Sequence, residues 1–392
     1  MPGVSGSSLV VDQEPQRAAI RIWDGACRVS GSSLVIDSGG NFRNGLSRLY
    51  LARYYIRMLR IRAAPGLMLL ALAVFALCRC AAPELRPDTT ELGEFVSRED
   101  YLKLLEPRGD RILHGAGANP FDFADYWKEM ARTPPVLYAT HIDLATLRPD
   151  WLYSIRQVID RHRDAIIPQI AVSLTYDGRP YEVEVTMGEL DRQLDILCHG
   201  LRSLDRPVFL RIGYGFGSPS TGYRPEPYRH AWARIVETIR LRYGLRHVAM
   251  VWCYAADSAI PHFMEYYPGD RYVDWWALDL FDPRTFGRET TRRFLAAARQ
   301  HGFPVMIGET APRGAAIAPD SKVWEYWFVP FFRFVRGNPG IKAFSYINWE
   351  AGDTRIAADL DLLQRYRQTL KDATFQHAVP FDELRWQLEW PD

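Results

Sequence analysis

Val305-Met306-Ile307-Gly308-Glu309 is a short apolar run that ends in a carboxylate. Similar runs recur along the chain, separated by longer segments of mixed polarity. The others are Ile112–Ala116, Val136–His141, Ile166–Leu174, Val208–Tyr214, Val248–Tyr254, Val273–Phe281 and Ala343–Trp349. Short apolar strands that alternate with helical segments indicate parallel strands covered by helices. The sequence therefore predicts eight βα units.

The segments between these strands have the spacing of amphipathic helices. Apolar residues three and four positions apart form one stripe along a helix, as in Trp151, Ile155, Val158 and Ile159. Eight such units in about 260 residues match a (β/α)8 TIM barrel of the α/β class. We expect this barrel over residues 108–375, with residues 376–392 as a C-terminal tail packed on it. An open doubly wound sheet is the alternative, but His114–Asn119 lacks the GxGxxG spacing of a dinucleotide site.

Composition and charge limit the classes of function that this protein can have. Hydrophobic residues make up 47% and charged residues 24% of the 392 residues, as in ordinary globular proteins. Ten arginines, no lysine and four acids precede Pro83, which leaves 38 basic and 43 acidic residues in the rest. A mildly acidic body does not provide the basic surface that nucleic-acid binding requires. The 12 Trp and 20 Tyr supply aromatic faces on which sugar rings stack.

The N-terminal part has the features of an export signal. Arg60 and Arg62 precede an apolar run from Leu67 to Leu77, and small residues follow at positions 81–82. A basic start, a short apolar stretch and small residues are typical of a signal peptide. A run this short does not span a bilayer, which needs about 20 residues. We expect residues 58–82 to be a signal peptide and the protein to be secreted or placed in the periplasm or cell envelope.

Residues 1–57 are interpreted as non-structural or as a wrongly assigned leader. Val4–Asp12 and Val29–Asp37 are near-duplicates rich in Ser and Gly, but two copies are too few for a repeat architecture. Because a signal peptide normally begins a chain, Met58 is the expected start. The polar, acidic stretch 83–107 is read as a linker and N-terminal extension.

The cysteines do not form a disulfide framework. Cys27, Cys78 and Cys80 lie in the leader, and only Cys198 and Cys253 lie in the body, where we expect buried free thiols. A lipid anchor at Cys78 or Cys80 is an alternative that the neighbouring Leu77 and Arg79 disfavour. The chain has no His or Cys pairs at metal-ligand spacing and no GxSxG elbow, so we expect neither a metal nor another cofactor.

Polar and aromatic side chains gather where the predicted strands end. In this fold the active site lies at the C-terminal ends of the strands. The residues there are His114, His141, Asp177, Arg211, Tyr214, Trp252, Tyr254, Asp257, Asp279, Asp282, Glu309 and Trp349. Carboxylates, histidines and aromatic rings at one end of an aliphatic barrel predict a polar cleft with stacking surfaces. Such a cleft is typical of a carbohydrate site.

Several segments resemble glycoside hydrolase family 26 and its relatives, in order along residues 108–372. They are Arg211–Tyr214, Val251–Ala255, Tyr266–Asp270, Val273–Trp276, Pro304–Glu309 and Phe344–Trp349. That family is similar to β-mannanases and related endo-glycanases of a retaining clan. The resemblance implies a hydrolase of O-glycosyl bonds in a β-linked polysaccharide of mannan or glucan type. We expect a monomer without nucleic-acid partners.

The resemblance also implies a mechanism with two glutamates. One, at the end of strand 4, is the general acid/base, and the other, at the end of strand 7, is the nucleophile. Glu309 matches the nucleophile, and Arg211 on a neighbouring strand would help to keep it ionised. The alternative is that Glu309 caps the following helix or pairs with Arg313.

Strand 4 departs from the family pattern. Relatives read Arg-Ile-Gly-Tyr-Glu-Phe, whereas this chain has Gly215 in place of the glutamate, between Tyr214 and Phe216. Three explanations stay open. The chain is a carbohydrate-binding pseudoenzyme, or Asp177 or Glu226 supplies the proton, or the glycine is a sequence variant or a deliberate substitution. The alternative for both Asp177 and Glu226 is that they are solvated loop carboxylates without a catalytic role.

Other residues are candidate sugar contacts. By the resemblance, Trp349 would be the platform beneath the sugar at the cleavage point; the alternative is core packing. Trp252 and Tyr254 are candidates to line the cleft, with Tyr254 donating to Glu309. Arg211, Tyr214 and Asp279 are further binding candidates. His114 and His141 either bind sugar hydroxyls or form a buried polar pair. Of the adjacent Trp275 and Trp276, one should face the barrel interior and the other the helices.

Overall fold

The computed structural model describes two parts of the chain. The described residues are 20–23, 26–29 and 104–388, except 118, 163–165, 205, 258–261, 314–315, 320 and 350–352. Residues 1–91 and 92–392 are separate compact units. In the first unit, Ile20–Trp23 pairs antiparallel with Ala26–Val29. The proposed signal peptide, with Cys78 and Cys80, lies outside the described residues.

Eight parallel strands form a closed barrel in the second unit. They are β1 Ile112–Gly117, β2 Leu137–Asp143, β3 Ile167–Ser173, β4 Val208–Ile212, β5 Val248–Ala255, β6 Trp275–Leu280, β7 Val305–Thr310 and β8 Ile341–Ile347. Each strand pairs with its neighbours in sequence, and β8 closes on β1 with Ala343 opposite Leu113. The predicted (β/α)8 barrel is confirmed, and the open-sheet alternative is wrong.

Helices surround the barrel and run back between the strands. They are α1 Pro120–Glu129, α2 Tyr153–Arg161, α3 Glu182–Met187, α4 Asp191–Leu204, α5 Pro225–Glu237, α6 Pro283–Phe286, α7 Glu289–His301, α8 Val329–Gly337, α9 Leu360–Leu370 and α10 Phe381–Gln387. Wide π turns extend α5 over Thr238–Arg242 and precede α8 at Trp324–Phe328. None of the helices in the described ranges has the length and apolarity needed to cross a bilayer.

Two apolar layers lie on opposite faces of the barrel wall. Along β5, Val251 and Cys253 belong to the interior layer, while Trp252 and Tyr254 pack towards the helices. This alternation follows from the two-residue period of a strand. The predicted division of the tryptophan pair is confirmed: the ring of Trp275 packs on Phe209 inside the barrel, and that of Trp276 packs on Trp252 and Phe294 outside it.

The C-terminal segment covers the end of the barrel opposite the cleft. Phe375–Gln376 pairs with the start of β1, and α10 follows. The backbone N–H of Arg108 donates to the carbonyl of Gln387 at 3.0 Å. Because these contacts lie at the N-terminal ends of the strands, they leave the C-terminal ends open to solvent. Cys198 and Cys253 are buried free thiols, as predicted.

His114 lies away from the cleft, on the helix-facing side of β1. It is fully buried, and its Nε2 lies 3.0 Å from Nδ1 of His377. The hypothesis that His114 binds sugar is therefore wrong, as is its pairing with His141. Burial, reinforced by the nearby His377, lowers the pKa of His114 well below its ordinary value. Burial also lowers the pKa of His377.

This histidine pair should make the barrel sensitive to acid. The folded state holds both pKa values below the unfolded value of about 6.5, so the unfolded chain binds protons first as the pH falls. The contribution of this pair to the free energy of unfolding should then be constant above about pH 7 and decrease below about pH 6.5, by up to about 1.4 kcal/mol per pH unit for each proton. Urea denaturation at a series of pH values measures this slope.

The substitution His114→Leu removes one titrating group and should reduce the slope between pH 7 and pH 5. His230→Leu, at an exposed position of α5, is the matched control and should keep the slope of the parent protein. An equal slope in the parent protein and the His114 variant would contradict this account.

Candidate active site

Glu309 reaches the cleft through a β-bulge at the end of β7. Leu278 of β6 pairs with Ile307, but the next residue, Asp279, pairs with Glu309, so Gly308 is an extra residue in β7. A bulge re-aims the side chains that follow it. The side chain of Glu309 is 12% exposed. Its Oε1 accepts a hydrogen bond from Nη1 of Arg211 at 2.9 Å and lies 2.7 Å from Nε2 of His141.

A fully buried arginine connects two carboxylates inside the barrel mouth. Nη2 of Arg211 donates to both oxygens of Asp279, at 2.7 and 2.9 Å, while Nη1 binds Glu309. The Sγ of Cys253 lies 3.2 Å from Nη2 and 3.3 Å from Oδ1 of Asp279. A buried charge is stable only when it is paired and hydrogen-bonded. This network therefore fixes Arg211, and Arg211 fixes Glu309.

The two carboxylates differ in their protonation. Burial by itself raises the pKa of Glu309, but the charges of His141 and Arg211 and the hydrogen bonds from both outweigh it and hold that pKa well below its ordinary value. Burial raises the pKa of Asp279 to about 7 despite Arg211, and the charge of Glu309 adds to the rise. The opposite pKa shifts of these two neighbouring acids favour the negative charge on Glu309.

Gly308 is required for this close arrangement. A Cβ atom at this position would lie 2.8 Å from Cζ of Arg211 and 2.9 Å from Oδ1 of Asp279. Neither group has room to move, because both are buried and bonded to each other. Only glycine therefore allows the backbone of β7 to approach Arg211 and Asp279 this closely.

Tyr214 and His141 form the wall next to Glu309. The ring of Tyr214 lies 5.2 Å from the guanidinium of Arg211 and 5.3 Å from the imidazole of His141. Burial, followed by the nearby charge of Glu309, raises the pKa of Tyr214. The side chain of His141 is 32% exposed and therefore faces the open cleft. Both predicted binding residues lie beside the carboxylate.

Gly215 lies beside the cluster in a backbone conformation that suits glycine. Its φ is +68°, and Gly213 and Gly217 on either side also have positive φ values. Its amide donates to the carbonyl of Cys253 at 3.1 Å. A Cβ atom at 215 would have one neighbour within 4 Å, Cγ2 of Thr221 at 3.8 Å. There is space for a side chain, but a non-glycine residue here costs about 1–2 kcal/mol in backbone strain.

The two proposed substitute acids are exposed loop or helix residues. Asp177 lies at the turn of the hairpin Thr175–Tyr176 and Arg179–Pro180, with a φ of 49°. Glu226 lies in the first turn of α5. Within the described part of the chain, neither forms a hydrogen bond with Glu309, Arg211 or Tyr214.

The alternative readings of Glu309 and Trp349 are wrong. The guanidinium of Arg313 lies 3.6 Å from the ring centre of Phe281 instead of pairing with Glu309, and Glu309 lies within β7 rather than at a helix start. Trp349, just after β8, is 48% exposed and so is not a core residue. Its backbone is held by Thr354, whose Oγ1 accepts from the Trp349 N–H at 3.1 Å.

Trp252 and Tyr254 do not line the cleft. Both are fully buried between the barrel wall and the helices, where their rings pack on Phe216 and Phe294. The cleft-lining and Glu309-donating roles predicted for them are therefore corrected. The inward residue of this strand end is Cys253, which the alternation from Val251 would have identified.

A polar pair inside the barrel was not predicted from the sequence. Nε2 of Gln169 donates to the carbonyl of Gly308 at 2.9 Å, and Oγ of Ser345 donates to Oε1 of Gln169 at 2.6 Å. The sequence signal that could have identified the pair is a single polar residue at an inward position of β3 and of β8.

In the ranges that the structure describes, no group of three or more His, Cys, Asp or Glu residues is placed to hold a metal ion.

Comparisons with known proteins agree with this architecture. The model of glycosyl hydrolase family 26 matches residues 204–310, which contain β4 to β7. A β-1,3-xylanase from a Vibrio species is 29% identical over 327 residues, which cover 73% of this chain and 69% of the relative. A β-1,3-xylanase from an Alcaligenes species is 28% identical over 227 residues, or 49% of this chain, and the match spans about half (48%) of that relative.

Solved structures show the same fold. A Bacillus subtilis mannanase superposes with a TM-score of 0.54 at 15% identity, covering 72% of this chain and 91% of the mannanase. A double mutant of a Cellulomonas fimi endo-β-1,4-mannanase gives a TM-score of 0.55 at 15% identity, with coverages of 72% and 75%. The chain is thus similar to glycosyl hydrolase family 26 over β4 to β7, shares the (β/α)8 barrel of the mannanases, and belongs with the hydrolases of O-glycosyl bonds.

Proposed function

We propose that this protein cleaves a β-linked polysaccharide with retained configuration and that Glu309 is its nucleophile. The observation that carries the proposal is the nearly buried carboxylate of Glu309 at the barrel mouth, held by Arg211 and His141, which also lower its pKa. A retaining glycosidase needs such a carboxylate to attack the anomeric carbon. A carboxylate at the C-terminal end of a barrel strand is where catalysis occurs in this fold.

The hydrogen bonds orient Glu309 for attack. Because an ionised carboxylate only accepts, Nε2 of His141 carries the proton that it shares with Oε1. Arg211 binds the same oxygen. Among the described residues, no hydrogen bond is made to Oε2, which is therefore available to form the bond to the anomeric carbon. Water then attacks the glycosyl ester, and the sugar leaves with its original configuration.

Gly215 determines how well this reaction proceeds. Glycine has no proton for the departing sugar oxygen and no base for the attacking water, and loss of such a group costs about 10²–10⁴-fold in rate. A substrate with a good leaving group needs little protonation and should be cleaved in spite of this loss.

The alternative function is a carbohydrate-binding pseudoenzyme, which the absence of an acid/base at Gly215 favours. The exposed Trp349 suits sugar binding in either case.

The substrate class is narrowed by the relatives. The two curated relatives are named β-1,3-xylanases, so β-1,3-xylan is the first glycan to test. Mannan and β-glucan follow, because the sequence resemblance implies that type of substrate. These glycans differ at single hydroxyl groups, and a hydrogen-bonding site discriminates strongly at such positions.

Hydrolysis of an aryl β-glycoside with a 2,4-dinitrophenyl leaving group tests the nucleophile. We expect turnover of this substrate, slow or no hydrolysis of the polysaccharide, and acceleration by azide, since azide attacks the glycosyl intermediate without needing a base. The product should be the β-glycosyl azide, identified by NMR, and azide should restore part of the 10²–10⁴-fold loss. Glu309→Gln, which preserves size but not charge, should abolish both reactions.

Two results would contradict the proposed reaction. Absence of turnover with every aryl glycoside, together with retained polysaccharide binding, would favour the pseudoenzyme. Equal turnover by the parent protein and by Glu309→Gln would show that another group is the nucleophile.

Replacing Gly215 tests whether it marks the missing acid/base. Gly215→Glu should lower stability by about 1–2 kcal/mol, because the backbone there is left-handed, yet raise polysaccharide hydrolysis by about 10²-fold or more. Gly215→Gln is the matched control, with the same strain but no acidic proton for the leaving group. Initial rates on polysaccharide and urea denaturation separate the two effects. A glutamate variant no faster than the glutamine variant would contradict this assignment.

We also propose that the protein is exported by the segment 58–82. The support is the order of basic, apolar and small residues in the sequence. N-terminal sequencing of protein from the periplasm and the medium should find a mature chain that begins after residue 82. A cytoplasmic product that retains this segment would contradict export.

A further inference from the structure

The bulge that aims Glu309 leaves a backbone carbonyl to be satisfied. At Gly308 the register of β7 shifts against both β6 and β8. The Gly308 carbonyl instead accepts two side-chain hydrogen bonds, from Nε2 of Gln169 at 2.9 Å and from Nη1 of Arg211 at 3.3 Å. The shorter of the two comes from β3, on the opposite side of the barrel interior. Gln169 thus holds the peptide that immediately precedes Glu309.

Gln169 is itself fixed from a third strand. Its Oε1 accepts from Oγ of Ser345 on β8 at 2.6 Å, and both side chains are fully buried. An amide buried without partners costs free energy, but here both ends of the amide are bonded, so only one orientation satisfies the group. The chain Ser345, Gln169, Gly308 therefore joins three strands through the barrel interior below the carboxylate.

We propose that Gln169, oriented by Ser345, is a positioning residue for the nucleophile. It fixes the peptide between Gly308 and Glu309 and thereby the direction of the Glu309 carboxylate. The inference rests on the proposed role of Glu309. Arg211 cannot replace this function, because its bond to the Gly308 carbonyl is the longer one and its guanidinium is already bound to Asp279 and Glu309.

The consequence for the reaction is specific. Without the Gln169 hydrogen bond, the bulged peptide can rotate, and Oε2 of Glu309 moves away from the line of attack. Misplacement of a reacting group by about 1 Å costs about 10²-fold in rate. Substrate affinity should change little, since neither Gln169 nor Ser345 reaches the cleft surface.

The test measures covalent labelling of the carboxylate. The probes are 2,4-dinitrophenyl 2-deoxy-2-fluoro-β-glycosides of xylose, glucose and mannose, which form a long-lived glycosyl-enzyme without needing an acid. Intact mass spectrometry at several probe concentrations gives the rate constant of labelling and the dissociation constant of the probe. Gln169→Leu, of similar size, should label about 10²-fold more slowly with a dissociation constant within a factor of three. Ser345→Ala should give an intermediate loss.

Gln376→Leu is the matched control. Gln376 is also buried and hydrogen-bonded, to Arg111 and the His377 carbonyl, but it lies at the other end of the barrel. It should label at the rate of the parent protein although its stability also falls. If Gln169→Leu does not fold, Ser345→Ala decides, together with the ¹⁵N signal of the His141 imidazole, which should shift when Glu309 moves.

The outcomes separate this inference from the proposed function. Labelling of the parent protein at the same rate as Gln169→Leu and Ser345→Ala would overturn the positioning role and leave the nucleophile intact. An unlabelled parent protein would instead reject Glu309 as nucleophile, and the positioning role with it. Slower labelling in the Gln376 control as well would reduce the effect to a general loss of stability and overturn the inference.

Discussion

The candidate site depends on one buried guanidinium. Arg211 lies inside the barrel mouth without exposed surface, and a charge there is tolerated only when it is paired and hydrogen-bonded. Asp279 accepts two of its hydrogen bonds and Glu309 accepts a third. The requirement extends to the backbone, since the contact is close enough that position 308 has no room for a Cβ atom. The charge of Glu309, its direction and the bulge in β7 all follow from this constraint.

The sequence predicted the barrel because the relevant signal is local. Apolar runs and helical stripes alternate eight times, and each of the eight predicted strands is present. Whether an individual side chain points into the barrel or towards the helices was harder to predict from the sequence. Trp252 and Tyr254 were assigned to the cleft because they end a strand, yet the strand period turns them outward and brings Cys253 inward. An aromatic residue at a strand end is compatible with either the barrel interior or the layer of helices, so its residue type alone does not identify the face.

The cluster around Glu309 was only partly predictable. Arg211, Tyr214, His141 and Asp279 were expected near the carboxylate, and the structure brings them together. Gln169 and Ser345 could not be found from spacing, because their role depends on a bulge that shifts the register of β7 by one residue. A bulge leaves no clear signal in a short apolar run. His114 was misplaced since its partner, His377, lies 263 positions away along the chain.

The two halves of a retaining site are unequal in this protein. The nucleophile side has a charged, oriented carboxylate, while the acid/base side has a glycine in a left-handed loop with two more glycines. Peptide mapping of the protein after inactivation by a 2-deoxy-2-fluoro-β-glycoside would locate the nucleophile. We expect one adduct, on Glu309, at one per chain. An adduct on Asp177, Glu226 or any other residue, or no adduct while polysaccharide still binds, would contradict this expectation.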